Sequence, residues 1–441
     1  MFRAAVDAAS ASCCVPANLP ERPSGRVVVV GAGKAAAEMA RAVENEWHDA
    51  VSGVVVTRYG HGAPCRHIEV VEAGHPNPDA AGVAAASRIR DLVSGLTADD
   101  LVLCLWSGGG SSLLALPAST ITLADKRSIN QQLLRSGAGI TEINCVRKHL
   151  SAIKGGRLAL LAHPAQVVSL IISDVPGDDL SVIASGPTVA DASTCREACE
   201  VLERYDLNVP AHVLQWLRSD AAETPKAGDE RLARVRNILI ATPMMSLRAA
   251  AQCARDQGMY PFILGDGLEG EARESARVHA GIARSCAEHG EPAATPCVLI
   301  SGGETTVSVR GRGRGGRNAE FLLALALALK AHPQIWGLAC DTDGIDGTED
   351  NAGARITPDT LERAVGWGYD PQALLDDNDA WRLFDALGDL IVTGPTRTNV
   401  NDFRAILIER GSLAEGAAVR AALEAPAAEA PISGRPVSAC T

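Results

Sequence analysis

Short apolar runs alternate with glycine-rich turns and helical patterns along most of the chain. The run RVVVV at 26–30 leads into the turn GAGK, and an alanine-rich helical pattern follows at 35–43. A buried strand, a glycine turn and a helix, in this order, form the first unit of a doubly wound α/β sheet. The pattern therefore predicts an α/β fold that begins with such a unit.

The same rhythm of strand and helix continues through both halves of the chain. Further strands are predicted at 53–57, 70–73, 100–106, 166–173, 236–241, 260–264, 297–300, 305–309, 335–340, 389–392 and 403–408. Helices are predicted at 80–94 with Asp79 as the cap, at 143–159 with a break at two glycines, and at 244–257, 269–288 and 321–329. The polar segment at 219–231, which contains proline and glycine, is a candidate linker between two domains.

The stretch CVLISGGETTVSVRGRGRGGRNAEFLLALALAL, at 297–329, joins two predicted strands to a helix through a basic loop. Four arginines fall within eight positions of this loop: Arg310, Arg312, Arg314 and Arg317. Asn318 is expected to cap the helix, whose free N-terminal amides favour an anion. Arg317 adds a planar fork that can hold a carboxylate or a phosphate. An anion site is the preferred interpretation, and a solvated basic loop is the alternative.

A second glycine loop, SGGGSS at 107–112, follows the strongest predicted strand of the first half. Three consecutive glycines cost more chain entropy than a simple turn requires, and the amides of such loops cradle phosphates. LCLWSGGGSS and VLISGGETT resemble each other, since each is an apolar strand followed by Ser-Gly-Gly and hydroxyl groups. Two such loops at strand ends suggest two related α/β halves that face one cleft.

Carboxylates follow two other predicted strands. Asp174 and Asp178 come after the strand at 166–173, and DTDGIDG, which contains Asp343, comes after the strand at 335–340. In α/β enzymes the carboxyl ends of strands carry catalytic or metal-binding groups. Mg²⁺ prefers one or two carboxylates together with substrate phosphates. A shared divalent ion is therefore one interpretation, and the capping of turns is the other.

Two groups of cations in the first half of the chain are further candidates for anion binding. The turn at 31–36 loosely fits the GxGxxG/A dinucleotide signature, but the next strand ends in Arg58 rather than in the acid that would hold a ribose. Lys34 in this turn would suit a phosphate. Arg147, His149 and Lys154 could border an anionic ligand, or they could form a solvated helix face.

Composition and charge narrow the range of functions. The chain has 441 residues and a net charge of −12, which argues against general nucleic-acid binding. The 12 cysteines are scattered, with no zinc-binding spacing. We see neither a signal-peptide pattern nor an apolar run of membrane-spanning length, so a cytoplasmic protein without membrane contact is expected.

Several longer motifs resemble those of one family. VVVVGAGKAAAEMA, GHPNPD, LWSGGGSSLL, NCVRKHLSAIKGGRLA, SDVPGDDLSVIASGPT, GRGGRNAEF, CDTDGIDG and TGPTRTNVND are similar to motifs of the glycerate 2-kinases, the class II glycerate kinases. The part from about residue 296 to 408 resembles the MOFRL domain of that family. The resemblance implies phosphorylation of D-glycerate to 2-phosphoglycerate by ATP, with Mg²⁺ or another divalent cation.

The resemblance also implies an architecture. We expect an α/β fold of two domains with the active site in the cleft between them. The first, at 1–230, would have a doubly wound, Rossmann-like parallel sheet, and the second, at 231–425, an α/β structure with a mixed sheet. Residues 426–441 would form a flexible tail. A monomer or a homodimer is expected.

The site residues expected on these grounds fall into four groups. Lys34, Arg317 and Asp174 are the catalytic candidates, and Lys34, Arg317 and Asn318 are the substrate-binding candidates. ATP and its phosphates are expected at Ser107, Gly108, Gly109, Gly110, Ser111, Ser112, Gly302, Gly303 and Glu304. The metal ligands are expected among Asp174, Asp178 and Asp343. Asp174 could alternatively accept the proton of the attacking hydroxyl.

Two other functions remain open from the sequence. A hydroxypyruvate reductase that uses NAD(P)H is the nearest alternative, because GAGKAA imitates a dinucleotide turn. A ligand sensor without catalytic activity could also use two glycine loops with basic residues.

Overall fold

The computed structural model describes residues 1–48 and 51–410. Its helices are α1 (Phe2–Ala8), α2 (Ala11–Cys14), α3 (Ala36–Trp47), α4 (Ala80–Val93), α5 (Gly110–Leu113), α6 (Leu123–Ser136), α7 (Ile140–His149), α8 (Arg157–Ala162), α9 (Cys195–Arg204), α10 (Ala211–Leu217), α11 (Pro243–Asp256), α12 (Ala272–His289), α13 (Arg317–Leu329), α14 (Thr360–Gly366), α15 (Pro371–Asp376) and α16 (Ala380–Leu387).

Its strands are β1 (Val27–Ala32), β2 (Ser52–Arg58), β3 (Ile68–Ala73), β4 (Leu101–Trp106), β5 (Gln166–Ile172), β6 (Val235–Ala241), β7 (Tyr260–Gly265), β8 (Gly270–Glu271), β9 (Cys297–Gly303), β10 (Thr305–Thr306), β11 (Ile335–Asp341), β12 (Gly353–Ile356), β13 (Leu390–Ile391) and β14 (Asp402–Ile408).

The first sheet is parallel and has the strand order β3-β2-β1-β4-β5-β6. This is the order of a doubly wound sheet, in which helices cover both faces and the order of strand addition reverses between β1 and β4. Both central strands are buried along their whole length, as their continuous apolar runs predict. The sheet and its helices form the first lobe, and the expected Rossmann-like architecture is confirmed.

The first lobe extends further than the sequence suggests. β6 pairs with β5, so the segment at 219–231 lies before the last strand of the first sheet and does not link two domains. The polar composition of this segment reflects two short 3-10 turns on the surface of the lobe. We therefore place the domain boundary after β6 rather than at residue 230. The predicted tail at 426–441 lies outside the described residues.

The second sheet is mixed, in the order β13-β12-β11-β14-β9-β7. β7 and β9 are parallel, and the other neighbours are antiparallel. α13 is apolar on every face, so it is buried between this sheet and neighbouring helices rather than lying on the surface. This sheet and its helices form the second lobe. Within the described residues, no helix is both long and apolar enough to cross a bilayer.

The N-terminal segment connects the two lobes. α1 packs against α11, and the rings of Phe2 and Phe403 lie 5.8 Å apart. The hydroxyl of Thr398 donates a 2.7 Å hydrogen bond to the carbonyl of Ala9. The first residues of the chain therefore pack on the second lobe, a contact that the sequence does not indicate.

Two predicted elements differ from those observed. The helix predicted at 143–159 ends at His149, because Ser151 forms an isolated bridge with Pro117 and donates its hydroxyl to Leu116. The strand predicted at 305–309 is limited to two residues in β10. After it, the amide of Ser308 donates to the side chain of Glu271 instead of to a strand partner.

Candidate active site

A cavity of about 1190 Å³ lies between the two lobes, and we call it the interlobe cleft. The first lobe contributes Gly109, Ser111 and Asp174 to its lining, and the second contributes Glu304 and Arg317. The stretches that follow β4 and β9 therefore face one cleft, as the similarity of their sequences predicts.

The loop at 107–112, which we call the glycine loop, has little room for side chains. A Cβ on Gly108 would lie 1.9 Å from Oδ2 of Asp174. Gly109 has a left-handed backbone with φ of 80°, and a Cβ there would lie 2.8 Å from Nε2 of His75. Both positions therefore require glycine, because any side chain would displace a neighbouring polar group.

The amides of the glycine loop divide into used and available donors. Those of Ser107, Gly110 and Ser112 donate to backbone carbonyls. Those of Gly108, Gly109 and Ser111 have no acceptor among residues 1–48 and 51–410. Since an unpaired amide in a crowded site is costly, these three donors suit a bound oxyanion. The hydroxyl of Ser112 instead donates to the carbonyl of Gly109, 3.1 Å away.

The turn between β1 and α3 has no free place for a dinucleotide. The amide of Lys34 donates to the carbonyl of Gly108 at 2.8 Å, and the amide of Ala35 donates to the buried hydroxyl of Ser107 at 3.0 Å. A Cβ on Gly33 would lie 2.1 Å from that same hydroxyl. In a dinucleotide-binding fold the pyrophosphate occupies this helix N-terminus. Here the glycine loop fills the position.

Lys34 lies beneath Gly109 and is paired with acids of the second lobe. Its Nζ is 2.5 Å from Oδ2 of Asp343, and only 15% of the side chain is exposed. Burial opposes the charged form, but Asp343, Asp341 and Asp174 outweigh it and raise the pKa of Lys34. Burial likewise acts on Asp343, yet the ammonium of Lys34 holds the pKa of Asp343 below its usual value. The pair is therefore fully ionised at neutral pH.

Arg317 contacts three carboxylates at the floor of the cleft. Nε donates to Asp402 at 2.7 Å, one terminal nitrogen donates to Asp341 at 2.8 Å, and the other donates to Glu304 at 3.1 Å. Burial opposes its charge, but the three acids together raise the pKa of Arg317. The guanidinium is thus oriented by the protein itself, with Glu304 as its most exposed partner.

Asp174 is one of two carboxylates of the first lobe that line the cleft in the described part of the chain, together with Asp179. Oδ2 accepts a 2.8 Å hydrogen bond from the side-chain amide of Asn399, and the side-chain amide of Asn401 donates to the backbone carbonyl of Asp174 at 2.5 Å. Burial raises the pKa of Asp174 to about 6, although the ammonium of Lys34 opposes the shift. The TGPTRTNVND segment therefore crosses from the second lobe and holds Asp174 in place, a role that the sequence did not assign to either asparagine.

The acids of the cleft have the donor chemistry of a magnesium site. Carboxylate oxygens are hard ligands, and Mg²⁺ needs only one or two of them beside phosphates and waters. Asp174 and Asp343 both interact electrostatically with Lys34. Asp178 does not join them, because it is not part of the cleft lining and the carboxylate that raises its pKa beside burial is that of Asp266 rather than that of Asp174. The expectation that Asp178 shares an ion with Asp174 therefore finds no support in the geometry.

Within the described residues, one group brings three possible metal donors within 4.8 Å of one another: His149, Cys195 and Glu223. Lys226 donates to Glu223 at 2.5 Å, so the carboxylate already has a cationic partner. Burial raises the pKa of Cys195 to about 12, which keeps its thiol protonated. This group is also absent from the lining of the cleft.

Three of the residues expected to contact a ligand are packed against other parts of the protein. Gly302 and Gly303 pair with Phe403 and Asp402 in the second sheet, and a Cβ on Gly303 would lie 2.2 Å from backbone atoms of Leu268. These glycines permit a close approach of two chain segments rather than the predicted phosphate contact. Glu304, the next residue, does line the cleft.

Asn318 is the third. It is fully buried, its side chain donates to Asp402 at 2.8 Å, and it is absent from the lining of the interlobe cleft. Nor does it cap α13, which begins at Arg317. The cap is the carboxylate of Asp346, which accepts from the amides of Asn318 and Ala319. The predicted anion at this helix N-terminus is therefore an acid of the protein itself.

Comparison with known proteins finds two family models that match the chain, and relatives that are named either glycerate kinase or hydroxypyruvate reductase. Residues 1–218 match a domain of unknown function (DUF4147), and residues 297–402 match the MOFRL family. A protein of Agrobacterium vitis that carries the provisional name hydroxypyruvate reductase is 57% identical over 92% of this chain and 93% of its own length. The D-glycerate 2-kinase of Thermotoga maritima is 40% identical over 91% of this chain and 95% of its own length.

A solved structure gives the same result for the fold. The crystal structure of a glycerate kinase from Thermotoga maritima aligns with a TM-score of 0.86 at 40% identity. The alignment covers 92% of this chain and 97% of that one. At this identity and coverage the likeness extends to the whole two-lobed architecture.

Proposed function

The chain belongs to the glycerate 2-kinase family, and we propose that it transfers the terminal phosphoryl group of ATP to the 2-hydroxyl of D-glycerate with the help of Mg²⁺. One observation carries the proposal. Gly109 and Ser111, whose amides are unpaired, line the interlobe cleft together with Asp174, Glu304 and Arg317. Arg317 and Lys34 are in turn ion-paired with Asp341, Asp343 and Asp402. We call these acids, Asp174, Glu304, Asp341, Asp343 and Asp402, the acidic wall.

Phosphoryl transfer needs alignment and charge neutralisation more than covalent chemistry. The free amides of Gly108, Gly109 and Ser111 would bind phosphate oxygens of ATP. Asp174 and Asp343 would hold the divalent cation, which neutralises phosphate charge when it is bound. The acidic wall has five carboxyl groups and contacts three cations, Lys34, Arg317 and the buried Arg404. This excess of carboxylates favours a divalent cation.

Lys34 and Arg317 supply fixed positive charge at the same place. Each is oriented by carboxylates, so little reorganisation is needed when negative charge develops on the transferring group. Asp174, whose pKa burial raises to about 6, is mostly ionised at neutral pH and could accept the proton of the attacking hydroxyl.

A hydroxypyruvate reductase is the second candidate, because the 57% identical relative carries that provisional name. Two features of the chain oppose it. The amides of Lys34 and Ala35, where a pyrophosphate would bind, already donate to the glycine loop. β2 ends in Arg58 rather than in an acid that would bind a ribose.

One pair of assays separates the candidates. The purified protein is given D-glycerate and MgATP while ADP formation is followed, and separately hydroxypyruvate while NADH or NADPH oxidation is followed. We expect ADP formation that depends on D-glycerate and is lost in Lys34→Met, which controls for contaminating kinases. Reductase turnover without ADP formation would overturn the proposal. Thermal stabilisation by D-glycerate without turnover in either assay would indicate a sensor.

A further inference from the structure

A second, smaller cavity of about 200 Å³ adjoins the glycine loop on the side of the first lobe. It shares Gly109, Ser111 and Arg147 with the lining of the interlobe cleft. Its other charged lining groups include Lys126 from α6 and Lys154 from the segment before α8. We call this cavity, with Lys126, Arg147 and Lys154, the cationic pocket.

Lys126 has no counter-charge in the pocket. Its Nζ is buried and has no hydrogen-bond partner among the described residues. Burial of an ammonium without a partner is unfavourable, because the charge loses its hydration and gains no compensating interaction. Such a group is rarely retained unless a ligand completes it, so its position points to a missing anion.

The other two cations also lack acids. Nζ of Lys154 donates to the carbonyl and the hydroxyl of Ser111, at 2.5 and 3.2 Å, and Nε of Arg147 donates to Asn130 at 2.7 Å. Within the described part of the chain, none of the three cations of the pocket forms an ion pair with a carboxylate. Burial lowers the pKa of Lys154, and Lys126 and Arg147 lower it further.

We propose that the cationic pocket binds the carboxylate of the hydroxy acid that the cleft phosphorylates. The inference rests on the proposed kinase function and names the carboxylate subsite of the same reaction. A cavity of about 200 Å³ accommodates a three-carbon acid but not a nucleoside triphosphate, which needs the larger cleft. The pocket opens toward the cleft at Gly109 and Ser111, so a hydroxyl next to the bound carboxylate would face the transferring phosphoryl group.

This assignment changes the role expected of Lys34 and Arg317. Both already contact carboxylates of the protein, so neither is free to bind a substrate carboxylate without breaking an existing ion pair. The pocket also defines the substrate class. Short monocarboxylates with a hydroxyl on the adjacent carbon fit it, whereas a neutral polyol such as glycerol leaves all three cations without a partner.

The test measures D-glycerate binding by isothermal titration calorimetry, with and without a nonhydrolysable ATP analogue and Mg²⁺. Lys126→Met and Arg147→Gln remove charge from the pocket. Arg135→Met removes a cation from the exposed surface of the same helix α6 and is the matched control. We expect roughly 10- to 100-fold weaker binding in each pocket variant and no change in the control. Lys126→Met should keep the wild-type melting temperature or raise it, because the lysine has no partner to lose.

Unchanged affinity in both pocket variants would overturn the inference. Inorganic phosphate is the second probe. If Lys126→Met weakens the binding of phosphate but not that of D-glycerate, the pocket binds a phosphoryl group, and the inference is also overturned. The two proposals fail separately. Wild-type protein without ADP formation but with Lys126-dependent D-glycerate binding contradicts only the kinase, whereas normal turnover with an unchanged KM in Lys126→Met contradicts only the pocket.

Discussion

The two sides of the glycine loop have opposite charge balances. On one side, the acidic wall surrounds Lys34 and Arg317, and each cation contacts at least one carboxylate. On the other side, the three cations of the cationic pocket have no carboxylate partner within residues 1–48 and 51–410. The same backbone loop thus separates a region with excess negative charge from one with excess positive charge.

The difference shows which charges are completed by the protein and which require a ligand. A cation held by two or three acids is a fixed part of the structure, and the surplus of acids around it favours a metal ion. A buried cation without an acid instead favours an anion. The balance of charge in each region therefore indicates its ligand better than the number of arginines in a sequence motif does.

The largest effect is expected for Lys34→Met, which removes positive charge from the acidic wall. Asp343 would lose its ion-pair partner, and the transferring group would lose a fixed cation. We expect kcat/KM for D-glycerate to fall by roughly 10³-fold or more, measured by ADP formation. Arg41→Met, on the neighbouring helix α3, is the control with near wild-type activity. A loss below tenfold in Lys34→Met would contradict a role in catalysis.

Gly108→Ala tests whether the glycine loop and the acidic wall must touch. The added Cβ would lie 1.9 Å from Oδ2 of Asp174 and 2.4 Å from the amide nitrogen of Asn399, so both must move. We expect kcat/KM to fall by roughly 100-fold, while D-glycerate affinity in the cationic pocket changes little. Gly281→Ala in α12, where a Cβ would meet no atom within 4 Å, should be neutral. Equal kcat/KM in the two variants would show that the close contact between Gly108 and Asp174 is not required for activity.

Asp346→Ala separates structural acids of the second lobe from those that bind ligands. Asp346 accepts from the amides of Asn318 and Ala319, at 3.0 and 2.9 Å, and both amides would be left buried without an acceptor. We expect a loss of about 2 kcal/mol in the free energy of unfolding, visible as a lower melting temperature. The exposed Asp350→Ala should leave stability unchanged. A stable Asp346→Ala protein would refute the capping role.

The pH dependence of D-glycerate affinity should identify the cationic pocket. Burial, with a smaller effect of Arg147, lowers the pKa of Lys126 from 10.5 to about 7. The charged neighbours are Arg147 on α7, Lys154 before α8 and Arg127 on α6. His75 also lines the pocket, but burial lowers its pKa to about 4, so it is neutral above that pH.

Because the charged form of Lys126 is lost above pH 7, the affinity for D-glycerate should fall as the pH rises further. The expected decrease is about tenfold per pH unit at most. The same lowered pKa means that the unfolded chain binds more protons between pH 7 and 10.5, so Lys126 destabilises the fold least at the alkaline end. Lys126→Met should bind weakly at every pH. Persistence of the alkaline loss of affinity in that variant would assign the titration to another group.

Most of the fold could be predicted because its signals are local. RVVVV, DLVLCLW and QVVSLIIS are continuous apolar runs, and each forms an interior strand of the first sheet. Boundaries failed where distant residues decide them. The bridge between Ser151 and Pro117 ends α7 early, and pairing with β5 retains β6 in the first lobe. No periodicity within those segments reports such partners.

The residues of the candidate site could be predicted from the sequence, but the ion pairs that they form with one another could not. The glycine loop, Lys34, Asp174 and Arg317 do meet at one cleft, or lie directly beneath it. The sequence could not show that acids of the protein already hold Lys34 and Arg317. Nor could it separate Lys126 from other surface lysines, because only tertiary packing buries its Nζ without a partner.

The most direct test of the central claim compares Lys126→Met with Asp174→Asn in initial-rate kinetics. D-Glycerate and Mg²⁺ are varied independently at saturating ATP. We predict that Lys126→Met raises the KM for D-glycerate by roughly 10- to 100-fold and leaves the Mg²⁺ concentration for half-maximal rate unchanged. Asp174→Asn should raise the Mg²⁺ requirement and leave the KM for D-glycerate within about threefold of wild type. A shift of the same constant in both variants would contradict the separation of metal and substrate acid by the glycine loop.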